Sequence, residues 1–122
     1  MIESSAKILL IDDDDIIQYM VQDVVTQMGH DFSCASNGEA ARSLLAAQRY
    51  DLVILDRQLP DTDGLLLAQL IQSQARSPFI VLSNLASTND QILGLGLGAK
   101  DYICKPVAAA VLRKRSIDDV WY

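Results

Sequence analysis

Cysteine, histidine and basic residues are scarce in this sequence of 122 residues, and each shortage excludes a class of protein. Two cysteines and a single histidine, His30, are too few for a zinc site or a disulfide-rich scaffold. We expect His30 to lie on the surface. Ten basic residues against 16 acidic ones give a net charge of −6, which argues against non-specific binding of nucleic acid.

Long apolar runs are also missing. No stretch approaches the ~20 apolar residues that a membrane-spanning helix needs, and the first six residues lack the basic start and apolar core of a signal peptide. We therefore expect a reduced, cytoplasmic protein that does not contact a membrane. Half of the residues are hydrophobic, so residues 1–122 are enough for one folded domain.

Short apolar runs predict buried β-strands, because each is too short for a helix and is bounded by polar or turn residues. The runs cover residues 7–11, 32–35, 52–55, 79–82 and 102–104. Apolar residues at helical spacing follow each run, and the last predicted helix covers residues 107–120. This alternation predicts an α/β fold with a doubly wound, five-stranded parallel sheet.

Polar residues recur directly after the predicted strands. Asp12 and Asp13 follow the first strand, Asp56 the third, Ser83 the fourth and Lys105 the fifth. In an open parallel sheet, the ligand crevice lies outside the carboxyl ends of the strands, where the strand order reverses. In the order 2-1-3-4-5 that point lies between the first and third strands, which both end in acids.

Carboxylates gathered at one edge of a sheet repel each other unless a cation lies among them. Oxygen ligands favour a hard ion such as Mg²⁺, which uses one or two carboxylates together with waters and phosphate. Lys105 and Ser83 are donors that suit phosphoryl oxygens. An acceptor carboxylate at Asp56, a divalent metal, a lysine and a hydroxyl together predict a phosphoryl-transfer site.

These motifs, in this order and at these intervals, resemble the receiver domain of bacterial response regulators. The resemblance rests on residues 8–13, 51–64, 80–83 and 98–106, and it covers almost the whole chain. It implies a flavodoxin-like (β/α)5 fold with the strand order 2-1-3-4-5, as in chemotaxis regulators. It also implies a cis peptide bond between Lys105 and Pro106.

The resemblance further implies a phosphorelay chemistry. A histidine kinase or a histidine phosphotransfer protein donates a phosphoryl group to Asp56. Asp13 and Asp56 ligate Mg²⁺ directly, Asp12 does so through water, and Gln58 contributes its backbone carbonyl. Lys105 pairs with one phosphoryl oxygen.

A switch follows from the same resemblance. Ser83 hydrogen-bonds the phosphoryl group, and Tyr102 then rotates inward and repacks the face formed by the fourth helix, fifth strand and fifth helix. The driving force is a new charge of about −1.5 to −2. That face would control an output domain or an effector protein, or form a phosphorylation-dependent homodimer.

Some positions depart from the usual receiver pattern. Asn84 stands where a very small residue is usual and could narrow the approach to Asp56. Gln58 and Leu85 occupy positions whose side chains tune the lifetime of the phosphoryl group. The terminal Trp121 and Tyr122 fit either a receiver excised from a longer protein or a stand-alone protein with an unusual tail.

Two alternatives to a signalling switch remain. One is a pseudo-receiver that serves as a phosphorylation-independent docking module, although such a module has no need of the full polar set. The other is a Mg²⁺-dependent phosphatase with an aspartyl intermediate. Those enzymes usually carry a second Asp two residues after the nucleophile, where this sequence has Gln58. We therefore expect self-phosphorylation and dephosphorylation but no turnover of a separate substrate.

Overall fold

Strands and helices alternate along the whole of the computed structural model, which describes residues 5–121, with the side chains of residues 5–120. The strands are β1 Lys7–Ile11, β2 Asp31–Ala35, β3 Leu52–Leu55, β4 Phe79–Ser83 and β5 Tyr102–Cys104. The helices are α1 Asp15–Gln27, α2 Gly38–Ala47, α3 Gly64–Leu70, α4 Thr88–Gly96, α5 Ala109–Arg113 and α6 Asp119–Trp121. A π-helical turn extends α3 over Ile71–Ala75, and another joins α5 to α6 over Lys114–Asp118. The expectations about the Trp121 side chain and Tyr122 lie outside this description.

All neighbouring strands pair in parallel, in the order β2-β1-β3-β4-β5. This confirms the predicted doubly wound α/β fold. The register pairs Ile11 of β1 with Leu55 of β3. The next residues, Asp12 and Asp56, therefore leave the sheet side by side at the point where the strand order reverses.

The packing of the central strand, β3, explains why its sequence does not alternate between apolar and polar residues. Val53 and Leu55 belong to the hydrophobic cluster that includes residues of α2 and α3, whereas Leu52 and Ile54 belong to the cluster that includes residues of α1 and α5. These four side chains are at most 1% exposed. A strand covered on both faces must be apolar throughout, so the first polar residue marks its exit from the core.

The expectation that His30 lies on the surface was wrong. The residue is only 5% exposed, and its Nδ1 accepts a hydrogen bond of 2.8 Å from the backbone N–H of Ala6. Gly29, with φ of +79°, ends α1 and turns the chain into β2. The backbone N–H of Asp31 then donates to the carbonyl of Ala6, which brings the start of β1 over the imidazole.

The final helical segment also differs from the prediction of one helix over residues 107–120. It begins at Ala109, and the π turn divides it. Leu112 and Ile117 are buried against the sheet, whereas Val111, predicted to lie on the same apolar stripe, is 45% exposed. Leu112 and Ile117 are five positions apart, and the π turn has more residues per turn than an α-helix, so both residues can face the sheet. Val111 precedes that turn and lies one position round α5 from Leu112. Between residues 5 and 121, none of the helices has the length and apolar character to cross a membrane.

Candidate functional site

Three carboxylates converge at the carboxyl edge of the sheet. Asp12 is completely buried and Asp56 is 4% exposed, whereas Asp13 is exposed. One carboxylate oxygen from each of them lies within 4.8 Å of the others. The fold therefore brings together the acids that the sequence indicated.

Asp14, two residues after Asp12, has a different role. Asp14 is the N-cap of α1, and its Oδ1 accepts hydrogen bonds from the backbone N–H groups of Ile16 and Ile17, at 2.9 and 3.3 Å. The N–H of Asp14 in turn donates to Oδ1 of Asp12, at 2.9 Å. The cap thus fixes the helix start and also orients the buried carboxylate.

Lys105 places its ammonium group between the two buried acids. Its Nζ lies 2.9 Å from Oδ2 of Asp12 and 3.1 Å from Oδ2 of Asp56, and its side chain is 6% exposed. The backbone N–H of Lys105 donates to the carbonyl of Ser83, and the Lys105–Pro106 peptide bond is cis, as expected. Lys105, which directly follows β5, therefore places one ammonium group next to the carboxylates.

Burial and neighbouring charges perturb the protonation of this cluster. Burial raises the pKa of Asp12, and the N–H of Asp14 and the ammonium group of Lys105 only partly oppose it. Burial alone would lower the pKa of Lys105, but contact with Asp12 and the charges of Asp12 and Asp56 outweigh burial and raise it. The folded site therefore holds Lys105 charged and disfavours ionisation of Asp12.

The donor set fits a hard divalent cation. With all three carboxylates ionised, as a bound cation would require, the ammonium group of Lys105 leaves two negative charges uncompensated. Oδ2 of Asp12 is also buried without an aligned hydrogen-bond donor, despite its contact with Lys105. Every available ligand atom is an oxygen, which is the preference of Mg²⁺ or Ca²⁺ rather than of a soft metal.

The loop from Asp56 to Gly64 forms a tight turn beside the cluster. The N–H of Gln58 donates to Oδ1 of Asp56 at 3.0 Å, and the Gln58 side chain is exposed. The N–H of Gly64 donates to the carbonyl of Arg57 at 2.7 Å. A Cβ at Gly64 would lie 2.3 Å from the carbonyl oxygen of Asp56, so the close return of the chain requires glycine.

Asp61, in the same loop, is a structural anchor that the sequence did not reveal. Its Oδ1 accepts the N–H of Gly38 at 2.7 Å, and its Oδ2 accepts the N–H of Glu39 at 3.1 Å. These bonds, led by that from Gly38, lower the pKa of Asp61. The loop beside the acidic cluster is therefore tied to the first turn of α2.

We predict that Asp61→Ala lowers the thermal unfolding temperature, because two N–H groups at the start of α2 lose their acceptor. A carboxylate with a lowered pKa stabilises the fold above its unfolded pKa, and this stabilisation is lost as the pH falls through the folded pKa. The fall in unfolding temperature should thus be largest at pH 7 and become smaller below about pH 4. Circular dichroism melts measure it, with Asp31→Ala, an exposed acid at the start of β2, as the control. Equal deficits at both pH values would contradict this role.

The switch residues predicted from the sequence belong to neighbouring strands, Ser83 to β4 and Tyr102 to β5. Ser83 is fully buried, and its Oγ accepts the N–H of Leu85 at 3.2 Å. Tyr102 is 3% exposed, and its hydroxyl donates to the carbonyl of Leu85 at 2.6 Å. The tyrosine ring therefore already points inward here, and Leu85 joins it to Ser83. Asn84 is exposed beside this link.

Arg57, the residue after Asp56, is a second anchor that the sequence did not reveal. Its Nη1 donates to Oδ1 of Asp90 at 2.5 Å, and its side chain is 13% exposed. Asp90 also forms the capping box of α4 with Ser87. Arg57 thus connects the exit of β3 with the first turn of α4.

Comparison with known proteins assigns this arrangement to a family. The family model described as the response regulator receiver domain matches residues 8–116. The chain belongs to the receiver domains of response regulators. The receiver is 39% identical over 108 residues to the transcriptional regulatory protein AfsQ1 of Streptomyces coelicolor, which covers 88% of this chain and 48% of the relative. It is 31% identical over 114 residues to the TorCAD operon regulatory protein TorR of Escherichia coli K12, covering 93% and 50%.

Solved structures agree with this family assignment. The receiver domain of the Francisella response regulator 1452 superposes with a TM-score of 0.88 at 31% identity, covering 96% of this chain and 97% of that one. The BeF3-activated receiver domain of DrrB superposes with a TM-score of 0.85 at 25% identity, covering 97% and 98%. The receiver spans about half the length of the curated relatives that it matches.

Proposed function

We propose that this receiver is a Mg²⁺-dependent phosphoryl-accepting switch and that Asp56 is the acceptor. The observation that carries the proposal is the position of Asp56. Its nearly buried carboxylate lies at the exit of the central strand, beside Asp12 and Asp13 and within 3.1 Å of Lys105. A phosphoryl-transfer site needs an acceptor, a place for a divalent cation and a donor for phosphoryl oxygens within one crevice.

Each residue of the crevice has a role in this proposal. Asp13, Asp56 and the backbone carbonyl of Gln58 would hold Mg²⁺ directly, and Asp12 would hold it through water. When bound there, Mg²⁺ would supply the positive charge that offsets the charge of the phosphoryl oxygens. A carboxylate oxygen of Asp56 forms a bond to phosphorus as the bond to the donor's histidine nitrogen breaks. Lys105 stabilises the charge that accumulates on the transferred group.

The donor in this proposal is a histidine kinase or a histidine phosphotransfer protein. The added charge attracts the hydroxyl of Ser83, and the hydrogen bonds of Leu85 pass that displacement to Tyr102. The face of α4, β5 and α5 then controls an output domain or an effector protein, or forms a homodimer. The names of the relatives as transcriptional regulators, and the half of their length that this chain does not span, support an output domain.

Intact mass after incubation with acetyl phosphate tests the proposal. We expect one phosphoryl adduct in the presence of Mg²⁺ and none when EDTA replaces it. The adduct should disappear on treatment with hydroxylamine, which cleaves acyl phosphates. If no adduct forms, a titration with beryllofluoride and Mg²⁺ separates two explanations. Binding of beryllofluoride would indicate that the phosphoryl group forms but is hydrolysed quickly, whereas failure to bind it while Mg²⁺ still binds would indicate that Asn84 obstructs small donors. The absence of both an adduct and metal binding would refute the switch and favour a docking module.

A further inference from the structure

Gly94 lies in α4 directly against the ring of Tyr102. A Cβ at position 94 would lie 2.7 Å from Cδ2 and 3.0 Å from Cε2 of that ring, and 3.7 Å from Cγ2 of Val81. Carbon atoms of packed side chains approach to about 3.5–4.0 Å. The space that a side chain at position 94 would need is therefore the space that the tyrosine ring occupies.

The ring of Tyr102 has little freedom to yield while it remains inside. It is 3% exposed, and its hydroxyl is fixed by the hydrogen bond to the carbonyl of Leu85. Its backbone belongs to β5, where it pairs with Val81 of β4. A methyl group at position 94 would therefore have to drive the ring outward or push α4 away from the sheet.

The other glycine within α4 shows that helix composition alone does not explain Gly94. Gly96 has no atom within 4 Å of the position of a Cβ, so its missing side chain leaves only open space. Glycine weakens a helix in either position. Within α4, only the missing side chain of Gly94 leaves a space, here called the seat, that the ring of Tyr102 fills.

We propose that Gly94 is a positioning residue of the switch, because its missing side chain forms the seat that lets Tyr102 adopt the inward position. This inference rests on the proposed function for its signalling consequence, since Tyr102 would report phosphorylation to the face of α4 and β5. A side chain at position 94 holds Tyr102 outward whether or not Asp56 carries a phosphoryl group. Gly94→Ala should therefore separate phosphorylation from the response of that face.

Nitration by tetranitromethane, mapped by peptide mass, measures the exposure of each tyrosine. Tyr19 is 75% exposed and Tyr50 is 4% exposed, so they provide internal standards for the two extremes. In the unphosphorylated wild type and in Gly96→Ala, Tyr102 should be protected to the level of Tyr50. In Gly94→Ala its nitration should rise toward the level of Tyr19 while Tyr50 stays protected. Protection of Tyr102 in both variants would overturn the inference.

A double variant distinguishes a displaced ring from general loosening of the fold. Gly94→Ala should lower the unfolding temperature in the wild-type background but raise or preserve it when Tyr102→Ala has removed the ring carbons that a Cβ at position 94 would meet. If Gly94→Ala does not fold by itself, folding of the double variant supports the inference, and failure of both overturns it. The absence of both a phosphoryl adduct and metal binding in the wild type would refute the proposed function, whereas the nitration pattern tests Gly94 without phosphorylation.

Discussion

Asp56→Asn should abolish the phosphoryl adduct and, without divalent ions, raise the unfolding temperature. An amide oxygen cannot act as the acceptor, so the loss should be complete. The stability gain is expected because burial raises the pKa of Asp12 and the charge of Asp56 raises it further, so removing that charge relieves repulsion between the two carboxylates. Asparagine retains an oxygen for the N–H of Gln58 and leaves Lys105 paired with Asp12.

Asp51→Asn is the matched control for this experiment. Asp51 precedes the same strand at the opposite edge of the sheet, where its Oδ2 accepts the N–H of Lys7 at 2.8 Å. Its replacement should leave the adduct intact. Intact mass and thermal melts with EDTA measure both effects. An adduct that persists in Asp56→Asn would move the acceptor elsewhere, and a lower melting temperature would show that the carboxylate of Asp56 stabilises the metal-free fold.

The sequence predicted the positions of the acids because strand burial restricts where polar residues can occur. The run from Leu52 to Leu55 is covered on both faces, so Asp56 marks the end of β3 without any knowledge of tertiary contacts. The same reasoning locates Asp12 after β1. The sheet register, which pairs Ile11 with Leu55, then brings the two acids together. A local rule and a common topology are sufficient for this part of the site.

The sequence could not predict contacts that depend on how separate loops pack. Asp61 and Arg57 bind partners 22–33 positions away along the chain, on the first turns of α2 and α4. Exposed turns commonly contain such residues, so their identities carry no signal about the partner. His30 was misplaced for the same reason, since its burial depends on the start of β1 crossing over it.

Lys105→Met should destabilise the metal-free protein by about 3 kcal/mol, because removing one partner of a buried ion pair leaves the other charges uncompensated. Asp12 is fully buried, and the side chains of Asp56 and Lys105 are each 6% exposed, so solvent screens these charges poorly. For a domain of this size, the loss corresponds to a fall of about 10 °C in the unfolding temperature. Lys100→Met, at an exposed lysine on the surface, should change stability by less than about 0.5 kcal/mol.

The deficit of Lys105→Met should depend on pH in a defined direction. The pKa of Asp12 is raised above its ordinary value of 3.8 in the folded protein. The resulting stabilisation is present below the unfolded pKa and is lost as the pH rises through the folded pKa. Without the lysine, the folded pKa of Asp12 should rise further. The difference from the wild type is therefore expected to be largest near pH 7 and to shrink toward pH 4.

Two rescues distinguish charge compensation from simple loss of packing. Asp12→Asn should restore most of the stability of Lys105→Met, because it removes the uncompensated charge. Mg²⁺ at about 100 times its dissociation constant should add about 2.7 kcal/mol, and the variant should bind it more tightly than the wild type because no ammonium group competes for the carboxylates. Denaturant unfolding with EDTA and with Mg²⁺ measures both. If neither rescue occurs, Lys105 stabilises the fold through its buried methylene groups, and the crevice does not need a cation.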